Sequence, residues 1–283
     1  MKRRVFLVEA AGPLAEVVAR GLPCPPPEAQ ALVRRGATYV DGRRAREGAA
    51  VAAGARVLVV LEEGGLATLE EAPPRPRLVV LHEDRELLAV DKPPGVTAQP
   101  TPGRLGDSLL DLASAHLGYP AGLVHRLDRE TSGVTVFGKG PAATRLLAAE
   151  FREGRAAKQY LAATSPGLPE EGTIRLPLSR DPSRPGRWRA TDLANGLSAE
   201  TRWRRLFDAE VSGVALFPRT GRTHQLRAHL AALGHPIVGD GLYGGPPGPR
   251  CLLHARRLEV LGRTLEAPVP AELLSLRQGA DWE

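Results

Sequence analysis

The feature that most constrains the fold is the segment at 63–77, EGGLATLEEAPPRPR, which divides the 283-residue chain into a short and a long part. It is rich in glycine, proline and charge and has no hydrophobic periodicity, so it extends neither a helix nor a strand. The chain is also too long for one small hydrophobic core and is long enough for two domains. We therefore predict a first domain at 1–65, a linker at 66–77 and a second domain at 78–283.

The composition is that of a globular protein with excess positive charge. Hydrophobic residues make up 42% and charged residues 25%, with a formal net charge of +6 and a pI near 9.8. This balance favours a polyanionic partner such as nucleic acid. Arginine supplies 34 of the 38 basic side chains, and asparagine and methionine occur once each. The scarcity of labile residues would suit a thermophile, although a GC-rich genome produces the same arginine bias.

The cysteine usage and the apolar segments indicate a cytoplasmic protein. Cys24 and Cys251 lie far apart with no CxxC, so neither a disulfide framework nor a thiolate metal site is supported. The N-terminal MKRRVFLVEAAG imitates a signal peptide, but Glu9 interrupts an apolar run that is already short. No stretch reaches the roughly 18 apolar residues of a membrane-spanning helix.

The short part of the chain predicts a helix followed by a hairpin. Pro27 is placed at a helix start and Gly36 at its end. TYV and then Asp41-Gly42 are typical of a two-residue hairpin turn, and the strand-like ARVLVVLEE follows. A basic cluster straddles the helix end and the turn, and its members are Arg34, Arg35, Arg43, Arg44 and Arg46.

The long part alternates short strands with loops and contains few helices. Residues 141–153 predict one amphipathic helix, and TGRTHQLRAHLAALG predicts a turn at Gly221 and a second helix that stops at Gly234. RCLLHARRLEV and RTLEAP predict a closing strand pair. No βαβ rhythm is visible, so we predict an α+β fold: a mixed, mainly antiparallel sheet with a central cleft, preceded by a small α/β domain.

Three polar clusters in the long part follow apolar, strand-like stretches. They are DKPPG at 91–95, HRLDRETSG at 125–133 and GRTHQLRAH at 221–229. Five of the first six residues of HRLDRETSG are charged or titratable, whereas an ordinary turn would use glycine, asparagine, proline or serine. We therefore expect a site at these strand ends, with Asp128 as its candidate nucleophile or base.

Several kinds of site are disfavoured by the spacing of these residues. His224, His229, His235 and Asp240 supply metal-ligand types, but their spacing matches no metal motif, and we interpret the histidines as hydrogen-bonded helix and loop residues. A GxSxG nucleophile motif, a Walker loop and a dinucleotide fingerprint are all missing. We therefore expect neither a metal nor a cofactor.

Carboxylate chemistry remains after these exclusions. An aspartate is ionised at neutral pH, and an arginine partner keeps it so when it is buried. Such a carboxylate attacks a sugar anomeric carbon or acts as a base, as in glycosidases, where Asp91 or Glu130 would be the second carboxylate. The excess of arginine around Asp128 points instead to a phosphate-rich substrate.

HRLDRETSG, together with VDKPPG, KQYLA and TGRTHQLRAHLAALGHPIVGD in the same order, resembles the motifs of the RluA family of pseudouridine synthases. The match covers roughly residues 78–270. The resemblance implies an RNA-modifying isomerase without cofactor or metal, in which an aspartate cleaves the N1–C1′ bond of uridine by attack at C1′ or by deprotonation. The uracil then turns and rejoins through C5.

The resemblance also implies roles for individual residues. Asp128 matches the essential aspartate, and Arg126 matches an arginine that fills the RNA stack when the uridine is flipped out. Tyr160 matches the aromatic residue that stacks on the flipped base. Arg222 matches the arginine that pairs with the catalytic aspartate, and Arg227 is the second choice for that pairing. Three further residues in the motifs are expected to contact the RNA, namely His125, Lys92 and Lys158.

The first domain resembles the S4 RNA-binding domain, because a helix ending in RRG precedes a hairpin and a closing strand. This resemblance implies RNA contacts by Arg34 and Arg35. The larger domain departs from its family at Gln99, where a histidine is usual, and we expect altered RNA contacts there. We expect a monomer that acts on large-subunit (23S) ribosomal RNA, with transfer RNA as the alternative. A non-catalytic RNA-binding or ribosome-assembly factor and, more weakly, a glycoside hydrolase remain open.

Overall fold

The computed structural model describes residues 2–22, 24–41, 43–61, 77–100, 108–192, 196–276 and 282. They form two compact units, Met1–Arg77 with Thr97–His116, and Leu78–Val96 with Leu117–Glu283. The second unit begins at Leu78, and Thr97–His116 group with the first unit. The predicted linker, apart from Arg77, lies outside the described residues.

The first unit combines short strands with small helices. Its strands are β1 (Lys2–Leu7), β2 (Gly12–Pro13), β3 (Thr38–Val40), β4 (Arg43–Arg44), β5 (Ala50–Val51) and β6 (Arg56–Leu61), and its first two helices are α1 (Leu14–Gly21) and α2 (Pro26–Arg34). One sheet has the order β1-β6-β3-β4, and β2 pairs with β5. Helix α3 (Leu109–Leu117) belongs almost entirely to this unit.

The local signals of the first unit behave as the sequence predicts. Helix α2 begins within the proline run, where a missing N–H costs nothing, and Gly36 ends it at φ 64°. Val40 pairs with Arg43 across the predicted turn, and Asp41 has the positive φ that a two-residue hairpin turn requires. Apolar side chains of both helices pack into one core with Val57 and Val59.

The second unit contains one large sheet and few helices. Its strands are β7 (Val79–Glu83), β8 (Leu87–Lys92), β9 (Gly122–Leu123), β10 (Ser132–Gly138), β11 (Ala157–Thr164), β12 (Glu171–Ile174), β13 (Leu178–Arg180), β14 (Trp188–Ala190), β15 (Thr201–Asp208), β16 (Ser212–Pro218), β17 (Leu253–Val260) and β18 (Arg263–Glu266). Its helices are α4 (Gly140–Arg152), α5 (Gln225–Ala232) and α6 (Ala271–Leu274).

The large sheet is mixed and mainly antiparallel, as the sequence predicts. Its order is β12-β15-β16-β11-β17-β10-β8-β7, with β18 beside β17 and β9 beside β10. Among the described strands, only the pair β10 and β17 is parallel, and it aligns Ser132 with His254. The predicted helices appear as α4 and α5, and the predicted closing pair is β17 with β18.

The polar clusters lie where apolar strands end. DKPPG begins with the last two residues of β8, HRLDRETSG runs from the loop after β9 into the first two residues of β10, and GRTHQLRAH follows β16. Gly133 joins the second cluster to the sheet with φ 110°, and a Cβ there would overlap the Ala255 carbonyl, so only glycine allows β10 to approach β17 this closely. Within the described part of the chain, no helix is both long and apolar enough to cross a membrane.

Candidate active site

Asp128 lies in the loop before β10, at the wall of a cavity of about 540 Å³. Its side chain is 19% exposed, so the carboxylate is accessible from the cavity but largely shielded from water. Two groups face its Oδ2 atom: Nη1 of Arg227 at 3.5 Å and Nε2 of His224 at 3.8 Å. The loop and the first turn of α5 thus meet at one carboxylate.

Arg227 is held by a second, deeper carboxylate. Its Nε and Nη2 atoms donate to Oδ2 and Oδ1 of Asp240, both at 2.7 Å, and its guanidinium lies over the Tyr243 ring at 5.0 Å from the centroid. Burial by itself would lower the pKa of Arg227, but the hydrogen bonds and charge of Asp240 raise it above its ordinary value. The guanidinium is therefore permanently charged and fixed in orientation beside Asp128.

The structure corrects the predicted partner of Asp128. Arg222 was the first choice, but its Nε donates to the Ser198 carbonyl at 3.0 Å and its backbone N–H donates to Gln225. Arg222 precedes α5, whereas Arg227 lies within the helix on the side that faces the cavity wall. The second choice, Arg227, is the arginine in contact with the carboxylate, and Arg222 remains at the cavity rim.

Tyr160 lies on β11 and lines the same cavity as Asp128. A register shift between Gln159 and Tyr160 turns the strand at this position. Burial, and then the negative charge of Asp128, raise the pKa of Tyr160 above its ordinary value. The phenol is therefore neutral near pH 7, and its ring offers an apolar face to the cavity.

His224 begins α5 in a left-handed conformation, with φ 55° and ψ 19°. Its Nδ1 lies 3.1 Å from the Tyr243 hydroxyl, and the two rings meet edge to face with centroids 5.8 Å apart. Burial lowers the pKa of His224 more than the charge of Asp128 raises it. The imidazole is thus predominantly neutral at neutral pH.

Lys92 is not an RNA-contacting residue in this structure, contrary to the prediction. It is completely buried, and its Nζ donates to the carbonyls of Pro93, Val96 and Arg129 at 2.9, 2.7 and 2.9 Å. Burial lowers its pKa to about 8. All three ammonium protons are used to tie the end of β8 to the loop that carries Asp128, which is why a charged side chain is tolerated there.

His125, which the sequence predicts as an RNA contact, has an orienting position in the structure. Its ring stacks on Phe151 at 4.5 Å, and its Nε2 accepts the Val136 N–H at 2.9 Å. Burial, with a smaller contribution from the charge of Lys158, lowers its pKa to about 3. The ring therefore anchors the start of the Asp128 loop to β10, and its remaining surface lines the cavity.

The predicted basic residues of the cavity are at its edge. Arg126 is exposed, and Lys158 donates from Nζ to the Thr220 carbonyl at 3.2 Å. Further basic side chains line the same cavity, namely Arg152, Arg219 and Arg222. In the first unit, Arg34 and Arg35 are exposed on α2 and its end, and Arg34 lies 3.8 Å from Glu47. The side chains of Arg43 and Arg44 lie outside the described residues.

Sequence reasoning missed Tyr243; it considered Asp240 only as a metal ligand, and it interpreted His224 as a hydrogen-bonded residue without a role at Asp128. Tyr243 follows Asp240 by three residues in a glycine-rich stretch that reads as a loop, and its hydroxyl bridges His224 and the backbone of Trp188. An aromatic residue within such a stretch was the available signal. No group of three or more potential metal ligands occurs among the residues that the structure describes.

Residues 86–232 match the family model described as RNA pseudouridylate synthase. The chain is 40% identical over 216 residues to the dual-specificity RNA pseudouridine synthase RluA of Salmonella typhi. The match covers 71% of this chain and 96% of that relative. It is 34% identical over 242 residues to the uncharacterized RNA pseudouridine synthase YhcT of Bacillus subtilis strain 168, over 79% and 78% of the two chains.

A solved structure, human RNA pseudouridylate synthase domain containing 1, matches with a TM-score of 0.60 and 29% identity over 73% of this chain and 89% of that chain. The mixed sheet, the cavity that contains a carboxylate and these similarities together identify the chain as an RNA-modifying isomerase. The chain belongs to the RluA family of RNA pseudouridine synthases, which convert uridine to pseudouridine.

Proposed function

We propose that Asp128 is the catalytic carboxylate and that it acts on a uridine flipped out of structured RNA into the cavity. The observation that carries this proposal is the contact of Asp128 with Arg227, 3.5 Å away, inside a cavity of about 540 Å³. A carboxylate in this position is largely shielded from water and lines the space where a nucleoside fits. These are the requirements for attack at C1′ or for proton abstraction from the ribose.

Arg227 places a fixed positive charge beside the Asp128 carboxylate. Both oxygens of Asp240 occupy Nε and Nη2 of Arg227, so the Nη1 group is the part that remains for Asp128. At 3.5 Å the contact stabilises the negative charge yet leaves the Asp128 oxygens free of the short bonds that would make them poor nucleophiles.

The aromatic and basic groups of the cavity fit an extruded nucleotide. Tyr160 supplies a face on which the uracil stacks, an interaction worth about 1–3 kcal/mol per base. Arg126 is exposed beside Asp128 and takes the place of the extruded base in the RNA stack. Flipping costs a few kcal/mol and least for an unpaired base, so a uridine in a loop is the favoured target.

The rim of the cavity fits the phosphates that flank such a nucleotide. Arg152, Lys158, Arg219 and Arg222 surround it, which supplies positive charge on more than one side. Phosphate contacts of this kind give affinity and register rather than sequence preference. RNA binding by this cavity is therefore expected to weaken steeply with salt.

We further propose that the first unit is an S4-like RNA-binding domain. Helix α2 ends beside the β3–β4 hairpin, and Arg34 and Arg35 are exposed there, which supports a basic contact surface. On this basis large-subunit ribosomal RNA is the first target. Transfer RNA is the alternative, and the name dual-specificity, given to the RluA relative, makes both worth testing.

A glycoside hydrolase is disfavoured by the second carboxylate of the site. Glycosidases need two carboxyl groups that act on the substrate. The predicted candidates Asp91 and Glu130 are not among the residues that line the Asp128 cavity. Asp240, the carboxylate behind Arg227, is 2% exposed and both of its oxygens accept hydrogen bonds from Arg227. A non-catalytic RNA-binding factor is disfavoured by membership of an isomerase family.

The test is release of tritium from ribosomal and transfer RNA that carries [5-³H]uridine and lacks pseudouridine. We expect release by the wild-type protein and none by Asp128→Asn. The control is Glu210→Gln, which removes the same negative charge from an exposed residue in the β15–β16 turn and should keep full activity. Release from one RNA pool identifies the target class. Equal release by wild type and Asp128→Asn would refute the role of Asp128.

A further inference from the structure

The proposed function leaves His224 without a role, although its imidazole faces Asp128. A residue other than glycine with φ 55° and ψ 19° pays a conformational cost, and such residues cluster at functional sites where the surroundings hold them in place. Here the surroundings are the start of α5 and the Tyr243 ring. The backbone of His224 is thus held in an unfavourable conformation that presents the imidazole to the cavity.

The contact with Tyr243 decides which ring nitrogen carries the proton. The Tyr243 hydroxyl donates to the Trp188 carbonyl at 2.8 Å and accepts the Trp188 N–H at 3.0 Å. Its one proton is therefore engaged, so Nδ1 of His224, at 3.1 Å, must be the donor in their contact. In the neutral ring, Nε2 then carries the lone pair, and it lies 3.8 Å from Oδ2 of Asp128.

The isomerisation requires a proton acceptor close to Asp128. The N1–C1′ bond breaks, C5 bonds to C1′, and the hydrogen on C5 must then leave as a proton, while N1 gains a proton. No net oxidation or loss of atoms occurs. When Asp128 works at the ribose, the C5 hydrogen of the rejoined intermediate is only two bonds from C1′, so its acceptor must lie within a few ångströms of the carboxylate.

The other titratable groups of the cavity do not fit this task. The arginines stay protonated. Burial lowers the pKa of Lys158, but its Nζ is held at the Thr220 carbonyl, 3.2 Å away, rather than at Asp128. Burial and the charge of Asp128 raise the pKa of Tyr160, which leaves its phenol protonated. The Nε2 lone pair of His125 already accepts the Val136 N–H. Among the described residues of the cavity, His224 keeps a free lone pair beside Asp128.

We propose that Nε2 of His224 accepts the C5 proton once the C5–C1′ bond has formed. This inference rests on the proposed function of Asp128. The charged and titratable groups that face the imidazole are Asp128 and Asp240, which favour its protonated form, Arg227 and Arg126, which oppose it, and Tyr243. Burial outweighs the two carboxylates and lowers the pKa of His224, so the ring is unprotonated and able to act as a base at neutral pH.

The first test is chemical rescue of His224→Gly in the full chain. Glycine adopts the left-handed conformation without strain and leaves a space in which free imidazole fits. We expect pseudouridine formation to fall about 100-fold, the usual contribution of a positioned base, with RNA affinity unchanged. Added imidazole should restore much of the rate, in proportion to its unprotonated fraction as pH is raised. A variant that binds RNA normally but is not rescued would overturn the proposal.

The second test uses His224→Asn, because asparagine also tolerates the left-handed conformation. This variant keeps the proposal testable if the glycine variant fails to fold. Single-turnover rates are compared for RNA with [5-²H]uridine and ordinary uridine. Loss of the base should make C5 deprotonation limiting, so the isotope effect should exceed that of the wild type. A slow variant with a wild-type isotope effect would show that His224 only positions Asp128.

The two proposals fail in distinguishable ways. An active wild type whose His224 variants retain full rate would overturn the role of His224 and leave that of Asp128 intact. If the C5 proton instead passes to Asp128, His224→Gly should show no dependence on imidazole. An inactive wild type on both RNA pools would overturn the proposed function, and the role of His224 with it.

Discussion

Neutralising Asp240 should destabilise the second unit far more than neutralising an exposed carboxylate with an equally short ion pair. In Asp240→Asn, one amide oxygen still accepts from Arg227, but the amide NH₂ faces the other guanidinium N–H. The variant therefore loses a charged hydrogen bond of 2.7 Å and leaves a cation in a site whose carboxylate partner is 1% exposed. Water cannot replace the lost partner.

The expected loss of stability is about 3–5 kcal/mol, the usual effect of breaking one side of a buried ion pair. The matched control is Glu259→Gln. Glu259 also receives a 2.7 Å contact, from Arg257, but the two side chains are 51% and 40% exposed. An exposed pair contributes roughly 0–1 kcal/mol, because water and salt screen it. The two pairs have the same contact distance and differ in burial and in the second hydrogen bond that Asp240 accepts.

The assay is guanidinium unfolding followed by tryptophan fluorescence. The three tryptophans, Trp188, Trp203 and Trp282, belong to the second unit, so the signal reports the part of the protein that contains Asp240. A loss below about 1 kcal/mol for Asp240→Asn, or one equal to that of Glu259→Gln, would refute the reasoning. The double variant Arg227→Met with Asp240→Leu should recover much of the stability but not the activity, because Asp128 has then lost its partner.

Lys92→Met should cost about 3 kcal/mol or more in unfolding free energy, because three carbonyls lose a donor that is itself completely buried. Lys139→Met, which removes the pair with Glu83, should cost much less, and equal losses would contradict this account. Burial lowers the pKa of His254 to about 4, so the folded state excludes a proton that the unfolded state binds below about 6.5. Stability should therefore fall by about 3 kcal/mol as pH drops from about 6.5 to 4, and His254→Gln should reduce that slope in pH-dependent unfolding. Tyr160→Phe should keep RNA affinity and Tyr160→Ala should weaken it by about 1–3 kcal/mol, since stacking needs the ring and not the hydroxyl; an equal loss in both would exclude stacking.

The local signals of the sequence were sufficient for most elements and for the position of the site. Proline and glycine marked both ends of α2, the Asp41 turn paired β3 with β4, and hydrophobic periodicity located α4 and α5. The polar clusters stood at strand ends in the structure as expected. Such signals depend only on residues that are close in the sequence, because these residues determine the local backbone geometry and the spacing of side chains.

The assignment of partners failed where it depended on contacts between distant segments. Arg222 and Arg227 are both compatible with a partner of Asp128 in sequence, and only the docking of α5 against the Asp128 loop brings Arg227 to it. Lys92 was predicted to contact RNA because it lies in one of the motifs, yet three carbonyls from two loops enclose its ammonium group. Burial of this kind has no local signature.

The sequence by itself determined the class of fold, the identity of Asp128 as the candidate carboxylate and the positive charge that suits RNA. Tertiary structure alone decided the network around that carboxylate, in which Asp240 orients Arg227 and Tyr243 orients His224. The physical reason is that periodicity and turn chemistry are short-range properties of the chain. The direction and protonation of a buried side chain are set by whichever distant groups the packed sheet and helices bring within hydrogen-bonding distance.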